Sequence, residues 1–209
     1  MHPLVNRSGH VIRPALPDAN EHFNQDGNPF VPIGESWPYN MPRPVHQRVH
    51  LEIQRLLSLL KMRHGAYNFD VRLDADENPI LMEIGPRNGG NMIPQVTRYA
   101  TGVDMVAYTI KAAMGEDCSD LRMKDTVGYW SSFMMHSKKP GVFQGVSYEK
   151  GFESSNIVES EVFCKKGDQV TSFNGSNGTL GAMILRYESM DEMLNKMEHM
   201  DRYVHVSVA

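Results

Sequence analysis

Cysteine is nearly absent: Cys118 and Cys164 are the only two, far apart and outside any CxxC pair. That argues against a disulfide framework or a cysteine-based zinc site and makes a reducing interior, the cytoplasm, the expected location. No apolar run approaches the roughly 20 residues that span a bilayer, and no secretory apolar stretch follows Met1, so a soluble chain is expected. An excess of one charge is missing too. Twenty-one basic residues against 25 acidic ones give a net charge of −4, with no basic run to hold nucleic acid or a lipid surface. His46 and His50 share a helix face but lack an acidic partner or an HExxH context, so they read as a partly exposed flank rather than a metal site.

What is present is a chemically dense stretch over residues 67–92. Tyr67, Phe69, Val71 and Leu73 alternate with Asn68, Asp70 and Arg72, as in a half-buried strand, and residues 80–84 form a second strand. The turn formers of residues 74–79 join them into an antiparallel hairpin. A symmetric register pairs Leu73 with Ile80 and sets Asp70 opposite Glu83. Two carboxylates so opposed repel each other unless a cation lies between them, and magnesium takes one or two protein carboxylates with water and phosphate oxygens completing its shell. Directly after Glu83 come Gly85, Pro86, Arg87, Asn88, Gly89, Gly90 and Asn91, a guanidinium and a flexible set of N–H groups suited to an anion. An acidic surface hairpin followed by an ordinary Gly-Pro turn needs no metal. The Arg-Asn-Gly-Gly-Asn continuation and the order of the flanking elements favour a nucleotide–metal site.

An acidic residue on one strand, then Glu-x-x-x-Arg and a Gly-Gly closing the next, resembles the ATP-grasp enzymes, including biotin carboxylase and carbamoyl-phosphate synthetase. The resemblance implies an α+β fold: the C-terminal lobe of an ATP-grasp domain, an antiparallel sheet with packed helices, plus a small β-rich C-terminal subdomain. It implies ATP with Mg2+ or Mn2+ as cofactors. Asp70 and Glu83 match the acidic metal ligands, Arg87 matches the catalytic arginine at the transferring phosphoryl group, and Asn88, Gly89 and Gly90 match a nucleotide-binding loop. The family's metal-ligand Asn two residues after the Glu is Gly85 here, so Asn88, Asn91 or water is left to serve as third ligand.

The flanking segments read in order. Residues 9–16 form an early strand. Residues 28–38, rich in proline, form an extended ordered loop of the kind that borders the acceptor-substrate pocket in the resembled enzymes, which makes His22 and Glu35 candidate substrate contacts. Residues 43–63 form an amphipathic helix stopped by Gly65. A short helix over 93–99 precedes one that starts at a capping-box-like Thr101–Asp104, buries Val103, Val106, Ala107, Ile110 and Ala113, and ends at Gly115. Strands follow over 127–136, around Ser147, and over 157–164, 169–173 and 180–187, with a hairpin turn at 165–168. A helix from Ser189 to about Met200, with Met193, Met197 and Met200 in the core, precedes a last strand over 203–208. The expected division is 1–118, the ATP-grasp lobe, and 119–209, the β-rich subdomain.

The resemblance covers only the C-terminal part of the family's chain. Its first lobe, with a glycine-rich flap and phosphate-binding lysines, does not fit before the first strand, so a fragment or a split gene product is expected. The implied function is the metal-binding part of an ATP-dependent carboxylate–amine ligase acting on a small carboxylate through an acyl phosphate. The missing lobe would be supplied in cis or in trans, and the isolated chain would be inactive. The alternative is a non-catalytic ATP-grasp module serving partner binding or homodimerisation.

Overall fold

The protein is described from a computed structural model, over residues 4–5, 19–23, 28, 30–62 and 65–209. The strand expected over residues 9–16 lies outside these. In chain order the elements are β1 (Leu4–Val5), β2 (Asn20–Phe23), β3 (Pro32–Trp37), α1 (Arg43–Leu59), β4 (Gly65–Ala66), β5 (Asn68–Leu73), β6 (Pro79–Gly85), α2 (Ile93–Thr101) and α3 (Met105–Met114). Then come β7 (Tyr129–His136), β8 (Gly141–Tyr148), α4 (Phe152–Asn156), β9 (Ile157–Val162), β10 (Gln169–Val170), β11 (Thr179–Tyr187), α5 (Met190–Glu198) and β12 (Val204–Val208). Among the described residues no helix is long and apolar enough to cross a membrane.

The chain divides into two compact units, residues 1–18 with 39–127 and residues 19–38 with 128–209. The segment around His22 and Glu35 therefore belongs with the C-terminal strands. The extended loop expected over residues 28–38 is largely strand: β3 pairs antiparallel with both β2 and β7, and its prolines, Pro32 and Pro38, sit at or just beyond its ends, where a missing N–H is tolerated.

In the first unit α1 lays Val49, Ile53 and Leu57 against Tyr67 and Phe69, with Val71, Leu73, Leu81 and Ile84 packed alongside. The helix stops at Leu59, short of the expected residue 63. Lys61 adopts φ 53°, Met62 N–H reaches Leu57 O at 3.0 Å and Lys61 N–H reaches Ser58 O at 3.1 Å. This pair of bonds, with Met62 packed in the same cluster as Leu57, is a Schellman termination in which a lysine takes the position glycine usually holds.

The hairpin β5–β6 has the expected partner for Asp70, which lies opposite Glu83, but not the expected register near the turn. Leu73 pairs with Pro79 and Val71 with Leu81, and the register then shifts by one before Asp70, leaving Met82 as the extra residue of a β-bulge. The turn sets its own register. Asp74 Oδ1 accepts from the N–H groups of Asp76 (2.9 Å) and Asn78 (2.8 Å), Oδ2 accepts from Asn78 Nδ2 at 3.1 Å, and these bonds hold the Asp74 carboxyl below the usual range.

The helix after residue 101 is rotated from expectation. Thr101 closes α2, and Asp104 caps α3 by accepting from Ala107 N–H at 2.9 Å. Met105 faces the core with Val103, Ala66 and Leu121, whereas Val106, Ala107, Ile110 and Ala113 are exposed. A helix apolar on both faces gives periodicity no means of choosing between them.

In the second unit five antiparallel strands run in the order β2-β3-β7-β11-β9, and β10-β8-β12 form a smaller sheet. Met193 and Met197 of α5, with Met200 just beyond it, pack with Phe133, Met135, Met183 and Leu185, as the helical spacing of the methionines requires. The turn at residues 165–168 is present, but its flanking strands part company: β9 pairs with β11 and β10 with β8.

Candidate functional site

The solvent-facing side of the hairpin carries Asp70 and Arg72 from β5 and Ile80, Met82 and Glu83 from β6, all exposed. The opposite side faces α1, so burial of Phe69 and the packing of the partly buried Leu81 and Ile84 are what turn the acids outward. Asn68 Nδ2 donates to Asp70 Oδ1 at 3.3 Å. No group of three or more His, Cys, Asp or Glu residues able to hold a metal occurs among the described residues. A two-carboxylate donor set does not suit zinc, which takes three or four protein ligands, mostly Cys and His. It suits magnesium, which keeps water and phosphate oxygens.

The loop after Glu83 turns tightly at Pro86, where Arg87 N–H reaches Gly85 O at 2.8 Å. This folds the Arg87 side chain back over Gly85: its Cγ, Nε and Cζ lie 3.7, 3.8 and 3.9 Å from where a Gly85 Cβ would stand. The guanidinium thus covers the position that lacks a side chain, and Nη1 donates to the Asn88 main-chain oxygen at 2.9 Å. Asn88 is held a second time, its Nδ2 donating to Thr109 Oγ1 at 2.9 Å, while its Oδ1 is buried with no hydrogen-bond partner among the described residues. A buried amide oxygen without a donor costs about 1–3 kcal/mol, so this group is placed to accept from something else. Of the two asparagines open to the role of third ligand, Asn88 is the one that carries this unsatisfied oxygen.

Gly89 is buried, and Gly90 is exposed with nothing within 4 Å of where a Cβ would be, so the backbone there is open. Asn91 and Met92 follow with φ 52° and 62°, two adjacent left-handed residues of a kind concentrated at ligand-holding loops. The N-terminus of α2 is a weaker anion site than the sequence suggests. Ile93 N–H is taken by Gly90 O and Val96 N–H by Met92 O, and Pro94 has none, so the first turn is left with Gln95.

His22 and Glu35 lie in the other unit. His22 Nε2 is 2.8 Å from Ser36 Oγ, and burial lowers its pKa to about 4, so it is neutral at pH 7. With Phe133, His136, Met197, His199 and His205 it lines a cavity of about 920 Å3, which Glu35 does not reach. Glu35 pairs instead with Glu21 and Ser132 across neighbouring strands. The structure brings Asp70 together with Glu83, and Arg87 with Asn88. It does not bring His22 or Glu35 to them within one unit. Thr109 was missed, since a threonine in a helix 21 residues beyond the loop gives no sequence signal.

No family model matches the chain. An uncharacterized protein, y4rH of Sinorhizobium fredii, is 31% identical over 84 residues, 40% of this chain and 17% of that protein. Among solved structures, phosphoribosylglycinamide synthetase from Anaerococcus prevotii matches with TM-score 0.79 at 18% identity, over 100% of this chain and 52% of its own. L-amino acid ligase from Bacillus licheniformis matches with TM-score 0.79 at 17% identity, over 100% of this chain and 51% of its own. The biotin carboxylase domain of 2-oxoglutarate carboxylase from Hydrogenobacter thermophilus, solved with MgADP and bicarbonate, matches with TM-score 0.72 at 16% identity, over 99% of this chain and 45% of its own. The chain spans about half the length of these structures.

Proposed function

We propose that this chain, whose fold is that of the C-terminal part of ATP-grasp enzymes, is the metal-binding part of an ATP-dependent ligase that joins a small carboxylate to an amine through an acyl phosphate. The observation that carries the reading is the pairing of Asp70 with Glu83 on an exposed hairpin face, continued directly by the loop of Arg87 and Asn88. Asp70 and Glu83 offer carboxylate oxygens to Mg2+ or Mn2+, and Asn88 offers a neutral one. The metal, when bound, supplies charge neutralisation at phosphoryl oxygens. Arg87 exchanges its bond to the Asn88 main chain for the phosphoryl or acyl-phosphate anion, and Gly90, exposed where its neighbour Gly89 is buried, presents backbone to the nucleotide. Phosphoryl transfer is catalysed mainly by positioning and electrostatics, so the remaining half of an ATP-grasp unit, in cis or in trans, completes an activity expected in the cytoplasm.

Calorimetric titration of the chain with Mn2+ and with Mg-ATP, beside Asp70→Asn and Glu83→Gln, tests this. The expected result is weak Mn2+ binding that both substitutions remove and no ATP turnover by the chain alone. Binding indifferent to both substitutions would overturn the assignment.

A second reading, a non-catalytic module that binds a partner or a second copy, is favoured by one observation. Val106, Ile110 and Met114 form an apolar row on α3 that is 48%, 56% and 71% exposed. Sedimentation of wild type against Ile110→Glu distinguishes it: self-association lost in the variant supports an interface.

A further inference from the structure

The orientation of Asn88 has a cause outside the loop. Thr109 Oγ1 donates its one proton to Met105 O at 2.7 Å, one turn back along α3. That hydroxyl can then only accept, so the Asn88 group facing it at 2.9 Å must be the NH2. The amide oxygen is thereby fixed on the other side, where it is buried without a donor. A side chain at residue 109 without a hydroxyl would leave the Asn88 amide free to turn over, since no other hydrogen bond among the described residues holds that side chain. Main-chain bonding reinforces the arrangement, because Arg87 Nη1 clamps the Asn88 carbonyl at 2.9 Å. Asn88 therefore links an arginine, an α3 hydroxyl and an unsatisfied oxygen in one residue.

We propose that Thr109 is a positioning residue that aims the Asn88 amide oxygen as the neutral ligand beside Asp70 and Glu83, replacing the side chain that Gly85 lacks; this rests on the metal-binding reading above. Groups that orient a metal ligand from behind typically change affinity by about 10- to 100-fold when removed. The test is Mn2+ binding to the 209-residue chain, read by the loss of the free-ion electron paramagnetic resonance signal, for wild type, Thr109→Val, Thr109→Ser, Asn88→Ala and the Asn88→Ala/Thr109→Val double variant. Thr109→Val is expected to weaken binding about 10- to 100-fold, Thr109→Ser to retain it, and the double variant to be no weaker than Asn88→Ala alone. Should Thr109→Val fail to fold, Asn88→Ala carries the test, with an unchanged affinity overturning the proposal. Binding that requires both acids yet ignores Asn88→Ala and Thr109→Val overturns this inference alone. Binding indifferent to Asp70→Asn and Glu83→Gln, or absent in wild type, overturns the acidic-pair reading and this proposal with it.

Discussion

The two units treat their polar groups differently. In the second unit most buried polar side chains are answered within the protein, Ser132 Oγ being the exception: Ser131 Oγ and Tyr187 OH lie 2.7 Å apart, and Lys196 Nζ donates to Asn156 Oδ1 at 2.8 Å and Glu192 Oε1 at 2.7 Å. Asn156 Nδ2 in turn reaches Arg186 O at 2.8 Å. In the first unit two acids face each other across a hairpin, Asn88 Oδ1 is buried without a donor, and two adjacent residues are left-handed. Local arrangements that oppose stability persist where a ligand makes them favourable, and frameworks resolve theirs internally. The contrast supports the proposal that the first unit is the working part and the second its support.

The largest effect that would sharpen this contrast is in the supporting core. Met183 is fully buried among Phe133, Met135, Leu185 and Met193, and Met183→Ala should cost about 2–5 kcal/mol in denaturant unfolding. A cost near zero would break the view of that sheet as a rigid frame.

Next comes pH. The unfolded His22 imidazole protonates near 6.5 and the folded one near 4, so between those values the unfolded chain binds the extra proton. The stabilisation is complete above about pH 6.5 and declines as pH falls toward 4, by about 2–3 kcal/mol in all. Melting curves of wild type and His22→Gln between these limits should converge at the acid end. Parallel curves would contradict burial of a neutral imidazole.

Lys196→Met removes the donor shared by Asn156 and Glu192 and is expected to cost about 1–3 kcal/mol. The smallest effect has the opposite sign. Asp70→Asn relieves the repulsion with Glu83 and should leave stability unchanged or raise it by about 0.2–1 kcal/mol while removing Mn2+ binding. A destabilised Asp70→Asn would mean that the acid is structural, and the contrast between the units would fail.

Sequence patterning revealed the hairpin, its opposed acids and the methionine core, because alternation and helical spacing report directly on burial. It lost β3 because prolines near both ends of the strand resemble a loop, although a strand end tolerates proline. It put the wrong face of α3 inside because Val106 and Ile110 are as apolar as the residues that are buried. The extent of β8, read only as the neighbourhood of Ser147, was hidden by Gly141 and Gly145, which sit in it with φ 153° and 148°. The orientation of Asn88 was invisible for a different reason: it depends on where one hydroxyl proton goes, 21 residues away.

The bulge at Met82 separates two decisions that a regular hairpin would force to be made together. In an unbroken ladder a one-residue slip at the turn travels the length of both strands and turns every side chain over. Here the turn takes its register from Asp74, and the acids take theirs from the packing of Phe69 and Ile84 beneath α1, with Met82 absorbing the difference. The hairpin behaves as a slip joint. Removing Met82 restores regular alternation with Asp70 still facing Glu83, so the turn is free to vary by a residue in the course of evolution without the acidic pair losing its alignment.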